Sequence, residues 1–482
     1  MSETLSLGER RQEALDHAAG LVARAWAEFD QARDVETLTS TELQRALSSP
    51  LPERASDVVA GLDTAAAVLD ASLAQARPRY FGYIGSSGLE VGALADLLAH
   101  SYDINLAIDA GAASLLERQA VGWLGEFVGY PAVSGSFTSG GTVSNLTALA
   151  AARERAVPGS RAAGLGGVRV AMYCSVEAHY SITRAAELLG IGRDQVRPIP
   201  IDGDRRMNPA LLVEAIAADL AAGITPVAVV CTAGTTLTGS VDRIDLIADV
   251  CDRFGIWLHV DGAYGLPAAG AAGTAALFTG LDRADSITVD CHKWMFVPKA
   301  CSAVLVRDVQ SLIATFAHDE AYVPHADDEI NAVDVTLEYS RPVRSLKLWL
   351  AFTVHGALAF REAIARNCAQ AQFLYDECGR HPRLQRLPTR PQLSIVPIRH
   401  LVPGCPDVDA HNASLTERLQ IDGRVYVSPA TIDGHVWLRP CFTNFRTTTD
   451  DIRLLIDVVD SLGNDCESHA LVSRNGTHGL SV

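Results

Sequence analysis

DSITVDCHKWMFVP, residues 285–298, places a lysine directly after a histidine at the end of an apolar strand. Residues 286–289 alternate in the β-branched manner of a strand, and CSAVLV at 301–306 reads as a second strand soon after it. Lys293 therefore falls in the connection between two buried strands. A lysine there is rarely left unpaired, and burial is expected to lower its pKa, as a carbonyl-condensing amine requires. A lysine snorkelling from a strand end accounts for this stretch equally well, so the rest of the chain has to decide.

Outward from that stretch, strands and helices alternate over about 168–306 in the doubly wound manner. Residues 168–175 are apolar and precede a helix at 181–189, and 227–232 form a buried strand. A helix at 243–254 sets Ile244, Ile247, Val250, Cys251 and Phe254 on one stripe. The strand at 256–260 then delivers Asp261 at its carboxyl end, where open α/β sheets bind ligands. Asp261 could merely cap the next turn, but a buried acid is costly unless a cation or donor meets it. Upstream, the Gly-, Ser- and Thr-rich run at 135–149 opens an Ala-rich helix. Such a start gathers free N–H groups and the positive end of the helix dipole, which suits an anion, although capping alone explains it too.

The 482 residues are enough for a large core and two or three structural units. A formal charge of -17 argues against general affinity for nucleic acid or anionic membranes, both of which call for a basic footprint. Ten cysteines without CxxC pairs indicate neither a zinc site nor a disulfide framework, so reduced, buried thiols and no metal are expected. The N-terminus lacks signal-peptide character and no apolar run reaches membrane-spanning length, making the cytoplasm the expected location.

Residues 1–76 read as a helical arm, broken at 48–52, with too little apolar surface to stand alone. A large domain follows over 77–344, containing a polar, acidic loop at about 317–342 of the length usual for lids. Residues 345–482 read as a small α+β domain, with strand-like pieces at 393–398, 424–428 and 436–438, helices at 408–419 and 450–462, and a frayed tail after 463. RPRYFGYIGSSG at 77–88 mixes glycines, which permit close approach to a ligand, with three aromatics that could wall a pocket.

Five motifs, SGGT at 139–142, VEAHYS around His179, TAGTT at 232–236, HVDGA at 259–263 and DCHKW at 290–294, occur together in one order. The chain resembles the group II pyridoxal-phosphate-dependent amino acid decarboxylases over about 77–446, aromatic-L-amino-acid decarboxylase being the best known. The resemblance implies the α/β fold-type-I architecture of the aspartate-aminotransferase-like transferases, a homodimer, and pyridoxal 5'-phosphate as cofactor. It implies that Lys293 holds the cofactor covalently, Asp261 pairs with its ring nitrogen, and His179 and Ala263 cover the two ring faces. Gly140, Gly141 and Thr142 would receive the phosphate with His292 beside them, and Thr236 the phenolic oxygen. Tyr322 would serve as proton donor on the family's catalytic loop, and Tyr83, Ile84 and Asn105 as substrate-pocket residues. The implied reaction is removal of the α-carboxylate of an L-amino acid to give an amine. Trp294 resembles enzymes of aromatic amino acids, whereas the run at 140–145 resembles the glutamate type. Aromatic substrates such as tryptophan, tyrosine or phenylalanine are expected. The alternatives are acidic or diamino acids, aldehyde formation, lysis of a phosphorylated amino alcohol, and a silent cofactor-binding scaffold.

Overall fold

A computed structural model describes residues 5–31, 39–131, 134–318 and 330–464. Its centre is a seven-stranded sheet of β1 (Ser134–Thr138), β2 (Val170–Ser175), β3 (Val196–Ile199), β4 (Thr225–Thr232), β5 (Trp257–Asp261), β6 (Ser286–Val289) and β7 (Ser302–Val306). The order is β1-β7-β6-β5-β4-β2-β3; the five strands from β6 to β3 in that order are parallel, and β7 is antiparallel to both β6 and β1. Strands buried on both faces should be apolar without alternation. All six residues of β2 and the last six of β4 are buried accordingly. Apolar clusters fill both sides of the sheet, one including Val229, Leu258 and Ile287, the other Met172, Ala228, Val230 and Trp257.

The helix Gly141–Ala156 joins β1 to β2 and packs across β1, β4, β5, β6 and β7, so its first turn lies near the carboxyl ends of the parallel strands. The same edge receives Thr232 at the end of β4, Asp261 at the end of β5 and Asp290 just after β6. β1 escapes a sequence reading because Ser-Gly-Ser-Phe-Thr carries no β-branched run; it is held by full antiparallel pairing with β7.

A second sheet, antiparallel throughout, contains β8 (Leu384–Arg386), β9 (Ile398–His400), β10 (Pro429–Ile432) and β11 (His435–Leu438) in the order β10-β11-β9-β8. Helices Val408–Asp422 and Thr449–Gly463 cover it, with Leu415, Leu419, Ile452, Leu455 and Val459 in its core. The strand expected at 424–428 reduces to a bridge between Tyr426 and Tyr80, because 423–428 runs beside the 80–82 segment and not along the small sheet. The stretch at 393–398 pairs regularly only from Ile398 onward. The helix Ser345–Arg380 runs between the two units and is broken at Gly356, whose φ of 71° is left-handed.

Two expectations change. Among the described residues the arm holds three α-helices, Arg11–Phe29, Thr41–Leu47 and Val58–Asp70. The acidic segment expected to be a lid over 317–342 is anchored in its second half. Asn331, Val333, Asp334, Val335 and Arg341 are buried there, and Asn331 and Asp334 form a reciprocal capping box. Residues 319–329 of that segment, Tyr322 included, and the tail beyond 464 lie outside the described residues. Among the described residues eight cysteines are free thiols, seven of them buried, and Cys405 is disulfide-bonded, which the spacing of cysteines in the sequence does not announce.

Candidate active site

The short helix Cys291–Trp294 leaves β6 and turns Lys293 back toward the edge where β4 and β5 end. A cavity of about 500 Å³ opens there, lined among others by Gly140, Gly141, Thr142, His179, Thr236, Asp261, Ala263, His292 and Lys293. Every cofactor residue expected from the sequence is thus brought to one cavity. Tyr83, Ile84 and Asn105 are not among the residues lining it within one chain. Tyr83 is exposed, Ile84 packs against the main core, and Asn105 is engaged with Ser340, Ala107 and Arg341.

Lys293 departs from expectation in its protonation. Burial does pull its pKa down, but Asp290 Oδ2 at 2.9 Å and, more weakly, Asp261 outweigh that and hold it above the ordinary lysine value. Asp290 is buried, and its second oxygen, Oδ1, has no hydrogen-bond partner among the described residues. The sequence reading gives Asp290 no role, although its i, i+3 spacing from Lys293 is a signal that could have found it.

Asp261 is held by donors. Its Oδ2 accepts from Asn145 Nδ2 at 3.0 Å and its Oδ1 from the Ala263 amide at 3.2 Å. Asn145 Nδ2 also lies 2.9 Å from Ser181 Oγ, which is 2.9 Å from His179 Nδ1. Behind Asn145, its Oδ1 is 3.1 Å from His259 Nε2, and His259 Nδ1 reaches Ser286 Oγ at 2.8 Å. His259 is fully buried, which pushes its pKa down to about 4 despite the opposing charge of Asp261, so the ring is neutral. Burial likewise lowers His179 and His292. Asn145 and His259 escape a sequence reading as site residues, because an asparagine inside a helix and a histidine inside a strand look like ordinary core positions.

The arrangement fits pyridoxal phosphate. Gly141 opens a sixteen-residue helix whose first amides have no intrahelical acceptor. A Cβ on Gly141 would stand 2.8 Å from Asp290 Oδ2 and 3.1 Å from Ala263 Cβ, so a side chain would fill the cradle. Buried Thr232 Oγ1, also on the cavity wall, has no partner among the described residues. The amine of Lys293 faces the same space as the Asp261 carboxylate. Trp294, the residue that suggested aromatic substrates, is fully buried, stacked on Tyr264 at 5.2 Å, and donates to Asn367 Oδ1 at 3.0 Å. It belongs to the core and does not line the cavity. Among the described residues no group of three His, Cys, Asp or Glu side chains could hold a metal ion, and no helix is long and apolar enough to cross a membrane.

Residues 42–400 match the model of the pyridoxal-dependent decarboxylase conserved domain. The chain is 30% identical over 477 residues to an aromatic-L-amino-acid decarboxylase of Bacillus atrophaeus, covering 96% of this chain and 98% of that protein. It is 33% identical over 350 residues to the cysteine sulfinic acid decarboxylase of Rattus norvegicus, covering 70% of each. The crystal structure of mouse CSAD superimposes with a TM-score of 0.89 at 26% identity, over 95% of this chain and 100% of that one. That of Oryza sativa TDC with PLP and tryptamine gives 0.89 at 24% identity over 96% and 99%, a likeness of fold. With the motifs, the cavity and these likenesses in agreement, the chain belongs to the pyridoxal-dependent decarboxylase family and is a pyridoxal-phosphate-dependent amino acid decarboxylase of fold type I.

Proposed function

We propose that this protein removes the α-carboxylate of an L-amino acid and protonates the carbon left behind, releasing carbon dioxide and the primary amine. The observation that carries the reading is the convergence of Lys293, Asp261 and His179 on one cavity. Pyridoxal phosphate, when bound, supplies an electron sink for the pair that carbon dioxide leaves. Lys293 would hold it and later give place to the substrate amine; to condense at all its ammonium must first give up a proton, and Asp290 at 2.9 Å is placed to take part in that transfer. Asp261, fixed by Asn145 and the Ala263 amide, would pair with the ring nitrogen. His179, tied to Ser181 and with its pKa lowered by burial, would cover one ring face, and Ala263 would permit close approach on the other. Gly140, Gly141 and Thr142 would receive the phosphate, with His292 beside them, and Thr236 would contact the phenolic oxygen.

The substrate side chain is the finer question. The aromatic expectation rests on Trp294, which lies in the core. Relatives are named for aromatic, acidic and cysteine sulfinic acids, so likeness does not choose among them. The functional unit we propose is a cytoplasmic homodimer, with the helical arm of residues 1–76 and the small domain of 345–482 flanking the large one, and with Tyr322 as proton donor. Borohydride reduction and peptide mapping should place the pyridoxyl group on Lys293, and Lys293→Ala should release no carbon dioxide from any amino acid that the wild type decarboxylates. Label on Lys299 or Lys347 would overturn the assignment.

A further inference from the structure

A second lysine stands on the cavity wall. Lys299 lines the same cavity as Lys293, at the other end of the connection from β6 to β7. Among the described residues its ammonium makes one hydrogen bond, to the neutral Gln75 Oε1 at 2.7 Å, and pairs with no carboxylate. The other cations nearby are committed. Arg439 donates to the carbonyls of Thr236 and Gly82, and Lys347 pairs with Asp96 at 3.1 Å. Lys347 also donates to the Lys299 and Ala300 carbonyls at 3.1 and 3.2 Å, which fixes the backbone that presents Lys299.

The position of Lys299 separates three uses of a positive charge. At the phosphate cradle, the atoms nearest to a Cβ built on Gly140 or Gly141 belong to His292, Asp290 and Ala263; Lys299 is not one of them, although its charge is close enough to help lower the pKa of His292. Lys299 instead sits against the 82–88 loop. Gln75 Oε1, its acceptor, would be 2.4 Å from a Cβ on Gly85, and Ser86 Oγ donates to the Val297 carbonyl at 2.8 Å. The α-carboxylate is a poor target, because gripping it stabilises the charge that the reaction must discharge and raises the barrier. A charge on the substrate side chain is unchanged by the reaction and can be held throughout without that cost.

We propose that Lys299 is a specificity-determining residue that receives the anionic side chain of an acidic L-amino acid. This rests on the decarboxylase reading and names its substrate class. An exposed ammonium on the wall, held only by a neutral acceptor, gains from an anionic partner, whereas a neutral side chain covering it takes away its water and returns nothing.

The test measures kcat/KM of the holoenzyme for carbon dioxide release from L-aspartate, L-glutamate, L-phenylalanine and L-tryptophan, in wild type, Lys299→Gln and Lys299→Leu. Pyridoxal phosphate affinity is measured alongside. Because the readout is a ratio within one protein, partial misfolding cancels. The wild type should prefer one of the acids over both aromatics, and either variant should lower the acid-to-aromatic ratio by about 10- to 100-fold, the scale of a lost charge-assisted contact. Cofactor affinity should stay unchanged. A wild type that prefers an aromatic substrate, or variants that keep the ratio or lose only cofactor affinity, would overturn the role of Lys299 while leaving the decarboxylase reading in place. Absence of carbon dioxide release from every amino acid, with the cofactor fixed on Lys293, would overturn that reading and this proposal together.

Discussion

Lys293 and Asp290 lie one helical turn apart, and the carboxylate keeps the amine protonated against the pull of burial. That has a measurable consequence in the apoprotein, where condensation with the cofactor needs the free amine. In Asp290→Asn the acid that raises the lysine pKa is gone and desolvation dominates, so the pKa falls. The pH at which the apoenzyme regains cofactor at half its maximal rate should therefore move down; an unchanged or raised midpoint would show that Asp290 does not set the state of Lys293. Asn145 makes a second case: Asn145→Ala removes a donor to Asp261 and should lower kcat by roughly 10-fold with little change in KM. A matching rise in KM would point to a merely structural role. Neither residue is assigned by the sequence. Chemical type and motif order single out Lys293, Asp261 and His179, which line one cavity, whereas the supporting shell depends on which helix crosses which strand end.

At the scale of elements, the start of the Gly141–Ala156 helix decides whether an anion fits. Gly141→Ala would push a methyl to 2.8 Å from Asp290 Oδ2 and 3.1 Å from Ala263 Cβ. Overpacking of that kind costs about 1–3 kcal/mol, so cofactor affinity should fall by roughly 10- to 100-fold. Titration of the apoprotein checks this, and wild-type affinity would mean that the cradle is looser than the distances imply. Strands β2, β4, β5, β6 and β7 are legible because apolar, β-branched runs have few other readings. β1 is not, because its Ser-Gly-Ser-Phe-Thr sequence owes its conformation to its neighbour β7. The 331–341 stretch reads as lid for a related reason: it is anchored by tertiary pairing such as that of buried Arg341 with Glu117 at 2.8 Å, which composition does not reveal.

Over the whole molecule, apolar side chains remain exposed on three long helices: Leu94, Leu97, Leu98 and Tyr102 on Glu90–Tyr102, Leu115 on Ala112–Val128, and Val354 and Leu358 on Ser345–Arg380. Such a surface favours burial against a second copy. If Tyr322 of each subunit in the proposed homodimer serves the site of the other, mixing refolded Lys293→Ala with Tyr322→Phe should restore roughly a quarter of wild-type sites through heterodimers, each with one intact site. Demonstrated heterodimers with no recovered activity would sink the shared site. The connection from β6 to β7 has one more consequence. Its ends are clamped where Val289 pairs with Ala303, so the sheet has already closed the loop. The residues between, carrying both Lys293 and Lys299, form a single contiguous coding segment. A change of substrate preference can be inherited through that segment, by drift or by exchange between related genes, without disturbing the strand register on which the rest of the fold depends.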